Sequence, residues 1–428
     1  MNDGAIWAGR GVTLAAQTGF AARVRWFSLV VAPEAFWSQN TAFGLQAPVG
    51  AAQHPLADPM RPFQIDLPQR FGTKAYSRLD PGQSTLRADV AGFAAGISTA
   101  NQAWGPATTF PLILGDNAPG FPHGFVGTSR PWNLWIGKAH GRLVWGRLEQ
   151  TPYTGIPADS AARFMAGMVG SFTPRGVPGL ELGFARFFHT PWPHGGLRPA
   201  HLLKPFETFA KLDFDSQGRE VFDAVATNQL ASVYFRWVLP HSGMEAYGEF
   251  AREDNNQNLR DFLLEPDHNS GYMLGLRSAW ALDSGRMLGV RGEVLNAARS
   301  HLFRARRQEP FYVHSVTRQG HTERGQILGS PAAYDGAGST LALDLYDPRG
   351  RVTASWTRLF RQDEVDLAQP DSVLPSPLDV THALGVNALL FAGRFDVTAG
   401  VTGVYEFNRY EAGNAFNLNV VLGLRAPL

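Results

Sequence analysis

The 428-residue chain contains no cysteine. Disulfide staples, thiolate metal sites and cysteine nucleophiles are therefore excluded, and the absence suits export through an oxidising compartment, where stray thiols are a hazard. Lysine is scarce as well: of 38 basic residues, only Lys74, Lys138, Lys204 and Lys211 are lysines. Nearly all positive charge thus sits on guanidinium groups, which suit bidentate pairing with carboxylates or phosphates, although a genome rich in G and C produces the same bias. Net charge is small, formally +1 from 38 basic and 37 acidic residues, which argues against a general nucleic-acid binder. No run of about eighteen apolar residues occurs, so no segment reads as a transmembrane helix. The opening "MNDGAIWAGRG" has no basic-then-apolar leader; for an exported protein, the signal sequence is removed or lies upstream.

What is present is alternation. In the closing stretch "FNLNVVLGLRAPL", Phe416, Leu418, Val420, Leu422 and Leu424 alternate with a set that includes Asn417, Asn419, Gly423 and Arg425. Period two marks a strand with one dry face, and the length exceeds the five or six residues of an ordinary soluble strand. The pattern recurs backward along the chain. Phe395, Val397, Ala399 and Val401 oppose Asp396 and Thr398; Leu288, Val290 and Val294 oppose Arg291 and Glu293; Val233, Phe235 and Trp237 oppose Tyr234 and Arg236; Leu143 and Trp145 oppose His140 and Arg142.

The connections alternate too. Short ones, "DPRG" at 347–350, "DSGR" at 283–286, "PHSG" at 240–243 and "AGR" at 392–394, are interleaved with long ones at 189–229, 254–271, 297–339, 362–379 and 408–415. Tight turns on one rim and long loops on the other are what an outer-membrane barrel requires. The expected fold is all-β: one closed antiparallel transmembrane barrel of about 16–18 strands filling 1–428. Parity places the C-terminus and the start of the strand near Lys138 at the periplasmic rim. The segment 99–137, rich in Gly, Pro and Trp, is then expected to leave and return there as a plug occluding the lumen.

Three stretches carry a resemblance: "NQAWGPATTFPLILGDNAPG" at 101–120, "EFAREDNNQNLRDFLLEPDHNSGYMLGL" at 249–276 and "VHSVTRQGHTERGQILGSP" at 313–331. In that order and spread, the chain resembles the Wzi-type capsule-assembly outer-membrane proteins. The resemblance implies an outer-membrane barrel of about eighteen strands with an occluded lumen, acting as a surface lectin that helps hold capsular polysaccharide to the cell.

Individual motifs refine this. His-x-Glu within "GHTERG" would need cysteines to complete a deaminase zinc site, and none exist. The spacing of His314 and His321 fixes no coordination geometry, so no metal is expected and no cofactor is called for. Carboxylates near Glu249, Glu253 and Glu265 do not define a glycosidase pair, and inward Arg with Asp or Glu is expected to close the lumen as a salt-bridged network. No catalytic residue is assigned. The expected glycan contacts are Asn101, Gln102, Trp104, Asn117, Arg252, Arg260, His314, His321, Arg324 and Gln326, with Trp104 reading first as packing and His321 as a loop anchor. The expected partners are outer-membrane lipid and an acidic surface or capsular polysaccharide, with no nucleic acid, bound by a monomer. A porin is the alternative function and an outer-membrane hydrolase the third.

Overall fold

The computed structural model describes the chain except for residues 1–3, 49–53, 159–160, 194, 207–211, 215–219, 223–226, 254–262, 301–307, 362–378, 410–412 and 427–428. It begins with a bent hairpin. β1 (Thr13–Gln17) and β2 (Phe20–Val24) descend to a turn at Arg25 and Trp26, and β3 (Phe27–Val31) and β4 (Glu34–Ser38) return. The bend has a steric cause: a Cβ on Gly19 would lie 2.0 Å from the Val31 carbonyl oxygen, so only glycine lets the two arms approach there. Beyond the bend, β1 and β4 join β5 (Tyr76–Asp80) in a three-stranded sheet, while β2 and β3 enter the wall.

The wall continues through β6 (Thr85–Val90), β7 (Phe93–Ser98), β8 (His123–Thr128), β9 (Trp132–Leu134), β10 (Gly137–Glu149), β11 (Ala162–Pro174) and β12 (Leu180–Pro191). A ribbon of β13 (Leu212–Phe214) and β14 (Glu220–Phe222) lies in the next loop. The wall resumes with β15 (Asn228–Leu239), β16 (Met244–Glu253), β17 (Ser270–Ala281) and β18 (Met287–Asn296). A two-residue hairpin, β19 (Thr322–Glu323) and β20 (Gln326–Ile327), sits within the lumen, and β21 (Gly336–Asp347), β22 (Gly350–Arg361), β23 (Asp379–Ala392), β24 (Phe395–Phe407) and β25 (Ala415–Arg425) complete the wall. The wall comprises eighteen strand segments in seventeen places, β8 and β9 sharing one beside β10, within the 16–18 expected from the sequence. From β10 onward the wall strands run 10 to 14 residues, enough to cross a hydrocarbon core.

Faces follow the alternation. Leu418, Val420 and Leu422 are 58%, 62% and 80% exposed on the outer wall, and Val420 pairs with the outward Val401. Exposed Trp26, Trp132, Trp135, Trp237 and Trp280 all lie at the short-turn end, forming the aromatic girdle of one membrane interface. Val420→Arg is therefore expected to cost about 2–4 kcal/mol of folding stability in lipid and Asn419→Arg less. Urea unfolding of both variants in vesicles checks this, and equal costs would reverse the assigned faces.

The parity expectation needs correction. β7 starts beside the tight turn at Ala91 and Gly92 and rises, so the segment after it leaves from the long-loop rim, not the periplasmic rim. The miss has a specific source: 123–128 and 132–134, placed by sequence within the plug, are wall strands interrupted at Pro131. A strand broken by proline is too short for its alternation to register. The remaining 99–121 packs in the lumen with parts of 54–72 and 308–335. Ile65, Phe110, Leu112, Ile113, Tyr312 and Leu328 form one buried core with wall residues such as Val144, Met165, Phe187, Leu230 and Met273.

Candidate functional site

The luminal filling is held by inward wall charges that accept from, or donate to, its backbone. Glu293 on β18 is the main acceptor. Its carboxylate takes bonds from the backbone N–H groups of Thr108 (2.8 Å), Thr109 (2.8 Å) and Phe110 (3.0 Å), and from the Tyr247 hydroxyl (2.8 Å). Arg163 on β11 is the main donor. Fully buried, it donates to the carbonyls of Gly320 (2.7 Å) and Thr322 (2.5 Å), fixing "GHTERG" against the wall. The inward pairs expected from sequence are also present, Arg236–Glu245 at 2.8 Å and Arg291–Asp344 at 2.9 Å. Gly105 must be glycine: it has φ +93°, and a Cβ would lie 2.7 Å from Glu249 Oε2.

The residues singled out from sequence occupy this seam. Trp104 is buried, edge-on to Phe187 at 6.2 Å and against Gly167, so its ring is part of the core. His321 is buried between Phe187 and Tyr312, stacked on the latter at 5.1 Å, with Nε2 2.6 Å from the Ile113 carbonyl. Buried Asn117 donates to the Ile327 carbonyl, and buried Gln326 donates to the carbonyls of Asn117 and Gly4. These four face protein, and a glycan contact at any of them would require the seam to open.

The other five described residues keep some surface. Asn101 exchanges bonds with Gln83 and donates to the Ala118 carbonyl at 2.7 Å; Gln102 accepts from Arg142 at 3.2 Å. Arg252 donates to the carbonyls of Pro266 and His268, and His314 Nδ1 accepts from the amides of Val316 and Thr317. Arg324 is a hub, with Asp80 at 3.1 Å and Glu149 and Glu323 each at 3.2 Å. Arg260 lies outside the described residues.

Sequence reading missed Arg163 and Glu293 as plug holders, and it missed an aromatic group at the long-loop mouth. Trp7 and Phe71 rings lie 4.7 Å apart, Phe71 and Tyr76 5.5 Å, Phe71 and Tyr153 6.1 Å; Trp7, Tyr76 and Tyr153 are half-buried, with Arg78 beside them on β5. Glu293 was visible as an inward charge, but nothing local shows what an inward charge will meet. Among the described residues, no group of three or more His, Asp or Glu is placed to hold a metal ion.

Burial sets the protonation of the seam. It pushes the Glu323 carboxyl up to about 8 against the pull of Arg324, lifts Asp66 to about 6 although Thr151 donates to it twice, and lowers His321 to about 4. Glu323 and Asp66 bind protons more tightly folded than unfolded. Their contributions are full below the ordinary carboxylate range and are lost as pH rises through about 8 and about 6. His321 acts in the opposite sense, its contribution being lost as pH falls from 6.5 through about 4. Between pH 6.5 and 8 only Glu323 of these three still titrates. Glu323 is therefore expected to contribute a decline of about 2 kcal/mol across that window, and the slope should be shallower in Glu323→Gln. Chemical unfolding at the two pH values measures this, and a wild-type slope retained in Glu323→Gln would contradict it.

Comparison with known proteins agrees with this architecture. The family model described as "Capsule assembly protein Wzi" matches residues 2–365. A solved Escherichia coli structure, described as Wzi, an outer-membrane protein involved in group 1 capsule assembly and a carbohydrate-binding β-barrel, is similar with a TM-score of 0.60 at 14% identity. The match covers 96% of this chain and 76% of that one, and at such identity it speaks to the fold. The Pseudomonas aeruginosa protein OccK7 (OpdD) gives a TM-score of 0.43 at 11% identity, covering 97% of this chain and 90% of that one. No curated protein sequence matches.

Proposed function

This chain belongs to the capsule assembly protein Wzi family, and from that membership we propose that it is a non-enzymatic barrel of the bacterial outer membrane that binds an acidic surface polysaccharide and assists its attachment or assembly. The observation that carries the reading is the filled lumen. A core of plug and wall side chains, pinned by Glu293 and Arg163, leaves binding at the mouth rather than passage as the work of the long-loop face. Planar aromatic and guanidinium groups supply what a uronic-acid polymer needs: apolar ring faces and charge-assisted donors.

Asn101, Gln102, Arg252, His314 and Arg324 are carried forward as candidate glycan contacts, Arg260 with them, and Trp7, Tyr76 and Tyr153 are added as ring platforms. Trp104, Asn117, His321 and Gln326 act by holding the mouth in shape. The protein works as a monomer in contact with outer-membrane lipid.

One observation favours the porin reading. On the inner side of β23 to β25, Asn387, Thr398, Asn417 and Asn419 are exposed, so water reaches that part of the lumen. Planar-bilayer recording separates the two functions. The capsule-assembly reading expects no stable ohmic step from the wild-type barrel, whereas steady large conductance would make the porin the better account.

A further inference from the structure

The outer wall carries a groove that the polysaccharide reading does not use. The segment after β12 does not rise from the rim but folds down over the outside of β10 to β12, where outward Phe164 and Phe188 become buried. Buried Arg186, also outward, donates to Gln229 Oε1 at 2.9 Å and to the Pro205 carbonyl at 3.5 Å, and Trp145 Nε1 donates to the Leu202 carbonyl at 3.1 Å. Between this overhang and the wall lies a groove of about 630 Å³, with Leu86, Ile97, Trp145, Trp192 and Leu202 among its lining. Its floor is open because Gly124 presents no side chain between Ile97 and Trp145; a Cβ there would find nothing nearer than the Gly96 carbonyl at 3.8 Å.

Two features identify the occupant. The overhang itself displays Leu197, Leu202, Leu203 and Phe206 at 48–64% exposure, an apolar surface suited to acyl chains and continuous with the lipid-facing wall. Arg147 lines the groove at the level of the long-loop rim, half exposed, its guanidinium 5.4 Å from the Trp192 ring and its Nε 3.6 Å from a half-exposed Glu149 carboxylate, a loose pair that leaves the other guanidinium nitrogens to a headgroup. A guanidinium beside tryptophans at the edge of an apolar wall is where a lipid headgroup meets its chains.

We infer that this groove seats one acyl chain of an outer-leaflet lipid, with that lipid's anionic headgroup on Arg147. The inference rests on the outer-membrane barrel and not on the polysaccharide reading. The chain would pack along Ile97, Gly124 and Trp145 beneath the overhang, tying the loop that flanks the mouth to the membrane surface.

Native mass spectrometry of the full-length barrel, loaded with phosphatidylglycerol or phosphatidylcholine in detergent, tests it. Each variant's folding is checked by heat-modifiable gel migration. Wild type should retain phosphatidylglycerol. Gly124→Phe, which fills the floor, should lower the bound fraction about tenfold. Gly141→Phe, an outward glycine away from the groove whose Cβ has 3.6 Å of space, should leave retention unchanged. Arg147→Gln should keep the lipid but lose about fivefold in preference for phosphatidylglycerol over phosphatidylcholine. Equal retention by wild type and Gly124→Phe overturns the inference, as does an unchanged headgroup preference in Arg147→Gln. A lipid-free dimer abolished by Gly124→Phe would assign the groove to a second copy of the chain instead. If Gly124→Phe does not fold, the headgroup preference of Arg147→Gln decides alone.

Discussion

Arg324→Ala is expected to cost about 3–5 kcal/mol of stability, because it removes the cation from a site where Asp80 is too buried to return to water. Asp80 and Glu323 are 2% and 0% exposed, and with Glu149 they converge on one guanidinium. Arg324 also has φ +48°, in the turn between β19 and β20, so the side chain is aimed by a tight backbone rather than by a flexible loop. Arg324→Lys should recover only part of the loss, since an ammonium cannot serve three carboxylates as a planar fork does. The deficit should grow as pH rises through about 8, where burial places the Glu323 carboxyl, because Glu323 then ionises beside the missing cation. Chemical unfolding in detergent at neutral and alkaline pH measures each part. A loss under about 1 kcal/mol, as for exposed ion pairs, would show that the hub is a surface network.

Glu293→Ala should be comparably severe, at about 3–5 kcal/mol, since it strands several buried or half-buried donors at once. The amides of Thr108, Thr109 and Phe110 have their acceptor on that single carboxylate, and Tyr247 adds its hydroxyl. Glu293→Gln keeps one acceptor oxygen but turns an amide donor toward other donors, so it should fall between wild type and Glu293→Ala. Loosening of the plug turn should also raise ion leakage through the barrel. Planar-bilayer recording reads this in the same preparations, and a stable, tight Glu293→Ala barrel would mean that the apolar core alone keeps the plug in place.

The wall was legible because a lipid-facing strand repeats one rule every two residues. β24 and β25 show it with Val404 and Val421 as the only branched apolar residues out of step, and β10 to β18 show it nearly as well. Reading failed at β8 and β9, where Pro131 and a break of three residues leave too few alternations to count, and one missed strand reversed the inferred side of the plug. The "GHTERG" and "NQAWGP" motifs were found, yet what they touch was not visible. His321 meets Ile113, and Asn117 meets Gln326, across some two hundred residues of chain. The mouth aromatics Trp7, Tyr76 and Tyr153 come from three separate stretches of the chain, so no local spacing gathers them. Periodicity reports a face; only the fold reports what that face meets.

Polysaccharide binding is tested most directly by one titration: purified wild-type barrel, immobilised in detergent, offered a uronic-acid polysaccharide and a neutral glucan across rising salt. Retention of the acidic polymer is expected at low salt, weakening steadily as ionic strength screens guanidinium contacts over about 8 Å or less. Little retention of the neutral glucan is expected at any salt. No retention of the acidic polymer even at low salt, or equal retention of both polymers independent of salt, would contradict the binding of an acidic polysaccharide.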